Sequence, residues 1–431
     1  MIRTIIILFL VAFFSKNVFA VSLSEALLQA YKNNPELNAE RENIEVSKQD
    51  LKISRSEFLP SITLSGSRSQ ENTDKLTNRS GGDAQITDTN PETKSIIIEQ
   101  KLFQGFGGIA DLEKNKIGLV LAEAKLLKIE QIVLLKAIEA YTGLILAKEK
   151  LDINKRNLNL LERQVETDSL RLERGQITIS DLAQSESSFA GAKAQYIQAQ
   201  NDVITNKLNY ENIIGNIDDI NNLKKSLNAI VTIPQSLESA IDLSKTNNPD
   251  IKIAKYELDQ TEKDIIIAQS DLSPSATLSL ERSYSDDLSS TYNERDKEIL
   301  KATVSWPIFA GGKNRATLNK NKNLSNQKRL LLEDAITSNK TTVASAWSSY
   351  QSSKSLLNSV RFQVRAAEIA NEGITIEYES GLGRSTLDVI QSNTLLLDSK
   401  TSLVNAERNF LLSQFKLLES IGLLTTKHLQ I

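Results

Sequence analysis

The chain has 431 residues, with 51 Lys and Arg against 54 Asp and Glu, no Cys and a single His. The absence of Cys excludes disulfides, thiolate metal sites and a Cys nucleophile. Because the only His, His428, lies close to the C-terminal end, a Ser-His-Asp set or a His-rich metal centre would have to be built there, so neither a metal nor a cofactor is expected.

Residues 1–20 show the pattern of a secretory signal peptide. Arg3 precedes the apolar run from Ile5 to Phe14, and the segment ends at Ala20. The alternative, a membrane anchor, is disfavoured because the run has about ten residues, whereas a spanning helix needs roughly 20. Removal of this segment leaves 49 basic and 54 acidic residues, a net charge of −5. We therefore expect no binding to nucleic acid, which requires a basic surface.

The sequence contains a long internal repeat. Residues 22–69 align without a gap to residues 236–283, an offset of 214, with 16 identities in 48 positions. Further along, the offset is 206, where Phe103 matches Phe309 and Gly175 matches Gly381. This organisation predicts repeat 1 at 21–215, a connecting segment at 216–235, repeat 2 at 236–422 and a short tail at 423–431.

Each repeat is predicted to run helix, strand, strand, long helix, helix. Period-two alternation places strands at about 61–69 and 95–103 in repeat 1, and at about 275–283 and 298–309 in repeat 2. The segments between them, 70–94 and 284–296, are polar and predicted as loops.

The long helices are predicted at about 107–173 and 313–379. Only 7 Pro and 17 Gly interrupt the whole chain, and apolar residues in both segments recur at alternating spacings of three and four. Such helices supercoil against neighbours, and some 65 residues extend roughly 100 Å. The predicted fold class is therefore mainly α with a small β part.

The short strands fit two settings. Strands of nine or ten residues suit a tilted membrane-spanning strand, but also a half-buried sheet in a soluble protein. Phe103, Trp306 and Phe309 lie at one end of the strands, where the aromatic girdle of a membrane protein belongs, and they favour the membrane. Four strands cannot close a barrel, and lipid does not tolerate open edges, so several chains would have to pool their strands.

With these landmarks the chain resembles the TolC family of outer membrane channel proteins. The resemblance rests on the duplicated Asn-Asn-Pro segments that end at Pro35 and Pro249 and on Leu-Pro-Ser at the start of the first strand. It also rests on the Phe-x-Gly motifs that begin at Phe103 and Phe309, and on the turn from Gly381 to Asp388. It implies a homotrimer in the outer membrane whose strands form one twelve-stranded barrel, continued by an α-helical barrel in the periplasm. It also implies a passive exit duct for efflux or type I secretion, with a periplasmic adaptor protein and an inner-membrane transporter as partners.

The resemblance further implies a closable periplasmic entrance at the helix turns. Asp388 matches the family's entrance aspartate, while Gln391 stands where the family has a second acidic ring. Arg384 and Tyr378 match residues that constrain the entrance, and Ser180 and Asp181 occupy the positions of their partners. We therefore expect an entrance ring at Asp388 and Gln391 and a latch made by the other four residues.

Three other classes of protein compete with this interpretation. A periplasmic adaptor also has a signal peptide and a long helical hairpin, but it carries one hairpin rather than two. A secreted enzyme would need a catalytic constellation, and carboxylates such as Glu130 and Glu139 lie on charged helix faces instead. A structural coiled coil would lack the strands with their aromatic ends.

Overall fold

The structure is a computed structural model, and it describes residues 21–72, 77, 79–82, 88–217, 219–225, 232–288 and 293–431. The signal peptide predicted at 1–20 lies outside the described residues. The described chain is mainly helical with a four-stranded sheet and a small two-stranded one, so the predicted fold class is confirmed.

The helices and the long strands follow one another in the same order in both repeats, and repeat 1 has two additional short strands. Repeat 1 contains α1 (Leu23–Asn33), α2 (Pro35–Ser56), β1 (Ser61–Arg68), β2 (Glu71–Asn72), β3 (Asp88–Thr89), β4 (Glu92–Gln104), α3 (Gly107–Glu173) and α4 (Ile179–Ile213). Repeat 2 contains α5 (Leu237–Asn247), α6 (Pro249–Ser270), β5 (Ser275–Asp286), β6 (Glu294–Ser305), α7 (Lys313–Glu379) and α8 (Thr386–Ile421). A 3-10 helix (Ile220–Asn222) lies in the connecting segment, and α9 (Thr426–Leu429) lies in the tail.

The duplicated Asn-Asn-Pro triplets separate two helices in each repeat. Asn34 has ψ 124° and Asn248 has ψ 125°, both extended, and each precedes a Pro that starts the next helix. The Pro ring excludes the helical conformation for the residue before it, and its missing N–H costs nothing at the first helical position. The break between α1 and α2 therefore follows directly from the triplet.

The chain divides into two compact units. Unit 1 comprises residues 21–40, Leu126–Pro249 and Ile336–Ile431, and unit 2 comprises Arg41–Lys125 and Asp250–Ala335. No helix among the described residues is both long and apolar enough to cross a membrane.

Unit 1 holds the main apolar core. Side chains of α1, α3, α4 and α8 meet there, among them the fully buried Leu134, Ile138, Tyr141, Leu144, Tyr210, Leu417, Leu418 and Ile421. The hydroxyl of Tyr141 lies 2.7 Å from the carbonyl oxygen of Lys224 and 3.0 Å from that of Val21, so it ties the connecting segment to the start of α1. Burial of large apolar side chains contributes roughly 1.5–3 kcal/mol each.

Unit 2 contains the antiparallel sheet, with strand order β1-β4-β5-β6. Ser61 pairs with Glu99 in the first hairpin, and Ser275 pairs with Ser305 in the second. These pairs are related by the sequence offsets of 214 and 206, so the two hairpins have the same register. The central pair β4·β5 joins the repeats, and β1 and β6 are left as the edges.

The strand bounds correct the sequence prediction in two ways. The central strands are longer than predicted, since β4 begins at Glu92 and β5 ends at Asp286. The segment 70–94 is also not entirely loop, because β2, β3 and the start of β4 fall within it.

The strand predicted at 298–309 starts at Glu294 and ends at Ser305, so residues 306–309 are not strand. The equivalent residues of repeat 1, 100–103, belong to β4 and lie alongside β5. In the described chain β6 is an edge strand, and Pro307 has no N–H to donate. Residues 306–309 also lie beyond the start of β5 at Ser275, so no strand of the described chain lies beside them.

Candidate functional site

Each long helix ends in a short turn that joins it to the next helix. Residues 174–178 join α3 to α4, and residues 380–385 join α7 to α8. Both turns open with a glycine in the left-handed region, Gly175 at φ 71° and Gly381 at φ 74°. The backbone N–H of the next residue donates five positions back in each case, from Gln176 to Arg171 and from Leu382 to Glu377. Both helices therefore end in the same Schellman motif.

Both turns close with the same capping box. Asp181 accepts hydrogen bonds from the backbone N–H (2.9 Å) and hydroxyl (2.7 Å) of Thr178, and Asp388 accepts the same pair from Ser385 (both 2.9 Å). These donors favour the ionised carboxylates and lower the pKa of both aspartates. Asp388, which is predicted for the entrance ring, therefore also caps the start of α8, and Asp181, which is predicted for the latch, caps the start of α4.

Gln391 is exposed and lies one helical turn after Asp388 on α8. Residues three apart on a helix are neighbours on its surface, so these two side chains share one face. This matches the pairing expected for the entrance ring, whose assignment stays a prediction.

A buried carboxylate on α3 lies at the centre of the polar contacts near the turns. Asp168 is 0% exposed. It accepts hydrogen bonds from Ser185 of α4 (2.5 Å), Tyr378 of α7 (2.7 Å) and Gln164 of α3 (3.0 Å). A buried charge is tolerated only when donors surround it, and here three helices supply them.

Tyr378 connects the two helix hairpins through this carboxylate. Its hydroxyl donates to Asp168 and lies 3.1 Å from the hydroxyl of Thr386, the first residue of α8. Burial is the main reason that the pKa of Tyr378 is raised, and the neighbouring Asp168 adds to the effect. The resemblance predicted that Tyr378 bonds to the partner turn between α3 and α4. In the structure Tyr378 bonds instead to Asp168 on α3, the long helix that leads to that turn.

Arg171 completes this group of side chains. Its guanidinium lies 4.1 Å from the centroid of the Tyr378 ring, and its Nη2 is 3.5 Å from the backbone oxygen of the same tyrosine. A cation over an aromatic face adds roughly 0.5–2 kcal/mol. We call Asp168, Arg171, Ser185, Tyr378 and Thr386 the turn cluster.

Arg384 does not reach the partner turn within one chain. Its Nε donates to Glu377 of its own hairpin at 2.6 Å, so the expected contact with Ser180 or Asp181 is not formed there. Glu377 also raises the pKa of Arg384. The reason is local, because Gly383 at φ 83° turns the chain so that Arg384 lies beside the end of α7.

The sequence prediction missed Asp168 and Arg171. The heptad seam predicted on α3 passes through Leu161 and Val165, and its next position is Asp168. At the equivalent place in repeat 2, 206 residues later, the chain has Ile374. A charged residue at a seam position was the signal that could have found the turn cluster.

In unit 2 one face of the sheet forms an apolar band. Two apolar residues of each strand lie on this face: Ile62 and Leu64 of β1, Ile96 and Ile98 of β4, Leu278 and Leu280 of β5, and Leu300 and Val304 of β6. Several are largely exposed, such as Leu64 at 81% and Val304 at 74%. Two polar residues share this face, Arg282 opposite Ile96 and Gln100 opposite Leu278. Gln100 donates through Nε2 to the backbone oxygen of Phe58 at 3.3 Å.

The three predicted interface aromatics lie at the end of this band that is nearest the helices. Phe309 is 85% exposed and Trp306 is 60% exposed. The ring of Phe103 meets that of Phe106 edge to face, with centroids 5.6 Å apart. Trp306 donates through Nε1 to the backbone oxygen of Leu272 at 3.1 Å, as an interfacial aromatic with one polar atom can do.

Comparison with known proteins adds an independent finding. The family described as "Outer membrane efflux protein" matches residues 26–216 and 240–423. These two blocks coincide with the two sequence repeats to within five residues at each end, and they cover most of the chain.

Named relatives and solved structures agree with this match. The chain is 26% identical over 409 residues to the outer membrane efflux protein BepC of Brucella suis, covering 95% of this chain and 87% of BepC. It is 22% identical over 428 residues to the alkaline protease secretion protein AprF of Pseudomonas aeruginosa, covering 96% of this chain and 87% of AprF. The Campylobacter jejuni CmeC outer membrane channel has the same fold, with a TM-score of 0.81 at 16% identity over 93% of this chain and 85% of CmeC.

Proposed function

The chain belongs to the outer membrane efflux protein family and forms an exit duct of an efflux or type I secretion system, and we propose that it works as a passive homotrimeric channel. It lies in the outer membrane and extends into the periplasm. The periplasmic adaptor, the competing interpretation, has no support among the relatives, which are outer membrane and secretion proteins.

The observation that carries the trimer is a sheet with two open edges and an apolar face. In the four-stranded sheet of one chain, β1 and β6 each have one neighbour, and all eight residues of β1 are exposed. Hydrocarbon offers no partner for free backbone N–H and C=O groups, so a spanning sheet must close on itself. Three copies supply twelve strands, enough for a barrel with a central passage.

The apolar band fits the outside of such a barrel. From Trp306 to Leu300 the band runs six residues along the chain, about 20 Å at roughly 3.4 Å per residue. A lipid-facing band is about 25 Å tall and bordered by aromatic residues. The opposite face carries Thr303 and Lys301 of β6, which suit a water-filled lumen.

We assign the closable entrance to the helix turns. The turn cluster joins α3, α4 and α7 through one buried carboxylate and reaches α8 through the hydroxyl of Tyr378, so it can hold the two hairpins together in a closed arrangement. Asp388 and Gln391 would form the narrowest ring, with Arg384, Asp181 and Ser180 beside it. A periplasmic adaptor and an inner-membrane transporter would dock to the periplasmic part, as in the systems to which the relatives belong.

Mass measurement in detergent, followed by planar-bilayer recording, tests this function. The expected result is a particle of three chains that inserts into a bilayer and conducts ions without an energy source. A particle of one chain, or a trimer that never conducts, would contradict the proposal. The channel is expected to have no catalytic activity.

A further inference from the structure

The internal repeat allows the interface between two copies to be worked out residue by residue. In unit 2 the helices lie side by side in the order α2, α3, α6, α7. Ser54 of α2 donates to Asp111 of α3, Lys114 of α3 pairs with Asp264 of α6, and Lys328 of α7 pairs with Glu257 of α6. The strands have the same order, so α2 with β1 forms one open side and α7 with β6 forms the other.

The contact between the repeats is made by two reciprocal ion pairs. The Nζ atom of Lys114 lies 2.7 Å from Asp264, and that of Lys263 lies 2.7 Å from Glu113. Four residues beyond Lys114, a Cβ on Gly118 would lie 3.2 Å from the amide nitrogen of Gln260. This side of α3 is therefore filled by the matching side of α6.

The repeat places a copy of this contact on the open sides. At the offset of 206, Lys114-Asn115-Lys116 is repeated as Lys320-Asn321-Lys322, and at the offset of 214 Asp264 is repeated as Asp50. Both residues of the Lys114–Asp264 ion pair thus have a counterpart. Lys320 lies on one open side of the chain, and Asp50 lies on the other. In the described structure Lys320 and Asp50 are exposed, and neither makes an ion pair with another described residue.

The neighbouring residues show that the side chain of Lys320 faces outward. Asn115 of α3 donates to Ser54 on one flank while the adjacent Lys114 reaches α6 on the other. Asn321 of α7 donates to the backbone oxygen of Asp264 on α6, which leaves the adjacent Lys320 directed to the open side.

Apolar residues flank both charges. Leu324 follows Lys320 by one turn and is 38% exposed, and Val46 precedes Asp50 by one turn and is 57% exposed. They occupy the positions of Gly118 and Gln260. Two exposed apolar side chains thus stand where the repeat contact has a close-packed pair.

The two repeats also make equivalent side-chain contacts beside the sheet. Trp306 donates to the backbone oxygen of Leu272, and Gln100 donates to that of Phe58. Trp306 and Gln100 are related by the offset of 206, and Leu272 and Phe58 by the offset of 214. The β4·β5 register can therefore be transferred, and it places Trp306 opposite Leu64 and Phe309 opposite Ile62 of the next copy.

We propose that α7 and β6 of one copy bind α2 and β1 of the next by repeating the contact between α3·β4 and α6·β5, with an ion pair from Lys320 to Asp50 at its centre. This inference rests on the proposed trimer and specifies its register. It also accounts for residues 306–309, which gain a strand neighbour only in the assembly.

Thiol crosslinking tests the register, because the chain has no Cys of its own. Asp50→Cys and Lys320→Cys are placed on two differently tagged, co-expressed chains and treated with a short bismaleimide. A product that carries both tags can form only between copies, and it is expected as the main adduct. Lys114→Cys with Asp264→Cys in one chain gives the reference yield for the same geometry.

The matched control replaces Lys320→Cys by Arg329→Cys, nine residues further along α7, a displacement of about 13 Å. It should crosslink to Asp50→Cys far less. Equal yields for the two positions, or no product from Lys320→Cys in a particle with the mass of a trimer, would overturn the register while leaving the trimer intact. A particle with the mass of one chain would overturn the trimer itself and the register with it.

Discussion

Asp388 has a structural role and a proposed channel role, and two substitutions separate them. Its carboxylate caps α8 through Ser385, and three copies would line the entrance. We predict that Asp388→Asn abolishes block of the channel by multivalent cations, since Asn can accept the capping bonds but carries no charge. Ser385→Ala should cost the helix about 1 kcal/mol and keep the block. Single-channel recording with a trivalent cation measures both, and equal block in Asp388→Asn and the parent would remove Asp388 from the ring.

The same carboxylate predicts a pH dependence. The bonds from Ser385 lower the pKa of Asp388 below its ordinary value of 3.8. A lowered folded-state pKa means that the cap stabilises the helix above the unfolded pKa and is lost as pH falls through the folded one. Cation block should therefore persist at a pH where an ordinary aspartate is half protonated, and disappear only below it. Recording block across the acid range checks this, and loss of block well above 3.8 would contradict it.

Tyr378 gives the third prediction at this scale. Tyr378→Phe removes the hydroxyl that donates to Asp168, and a hydrogen bond to a charged group contributes roughly 1.5–3 kcal/mol. If the turn cluster holds the entrance closed, the ratio of open to closed channels should rise about tenfold or more. Open probability in a planar bilayer measures this ratio.

The control is Tyr196→Phe, which removes a hydroxyl that accepts from Gln200 on α4, outside the turn cluster. It should leave the open probability unchanged. An equal rise in both variants, or no change in Tyr378→Phe, would separate the cluster from gating.

The helices and strands show which elements a sequence can define on its own. The long helices Gly107–Glu173 and Lys313–Glu379 have the bounds expected from their heptad spacing and glycine-marked ends, because both signals are local. The end of β6 was not predictable from alternation alone, since residues 306–309 lack a neighbouring strand within the described chain. The turn cluster was missed for a similar reason, because its bonds join α3 to residues 17 to 210 positions further along the chain.

Gly422 tests how tightly the helices pack at the end of repeat 2. It ends α8 at φ 82°, and a Cβ there would lie 2.4 Å from backbone atoms of Asn247. Gly422→Ala should therefore lower the free energy of unfolding by more than the roughly 1–2 kcal/mol that a left-handed conformation costs a non-glycine residue.

Gly191 is the matched control, because it lies inside α4 with open space around its Cβ position. Gly191→Ala should gain up to about 1 kcal/mol from helix propensity. Chemical unfolding of the detergent-solubilised protein compares the two variants. Equal midpoints would show that the close approach at Gly422 does not limit stability.

At the scale of the whole molecule, the duplication explains why one chain looks unfinished. The contact that joins repeat 1 to repeat 2 in unit 2 leaves a counterpart on the outer flanks, made of a sheet edge, one of its two charged pairs and apolar residues. A chain with two complementary open sides closes into a ring when the rotation from one copy to the next is a whole fraction of a full turn, one third for three copies. The channel is then a consequence of the repeat rather than of a separate pore-forming element.

In the proposed barrel the apolar band is the face of the sheet that meets lipid, and adjacent residues of β6 test this orientation. Leu300 lies in the apolar band and is 71% exposed, while Ile299 points to the opposite face, beside Glu281. Arg on the lipid side costs roughly 2–4 kcal/mol at the bilayer midplane and less toward the end of the band, where Leu300 lies, whereas a lumen is wet. Leu300→Arg should therefore reduce the amount of folded, heat-modifiable trimer in outer membrane fractions. Ile299→Arg, which replaces an equally large apolar side chain, should leave that amount near the parent level. A larger loss from Ile299→Arg would place lipid on the other face and turn the barrel inside out.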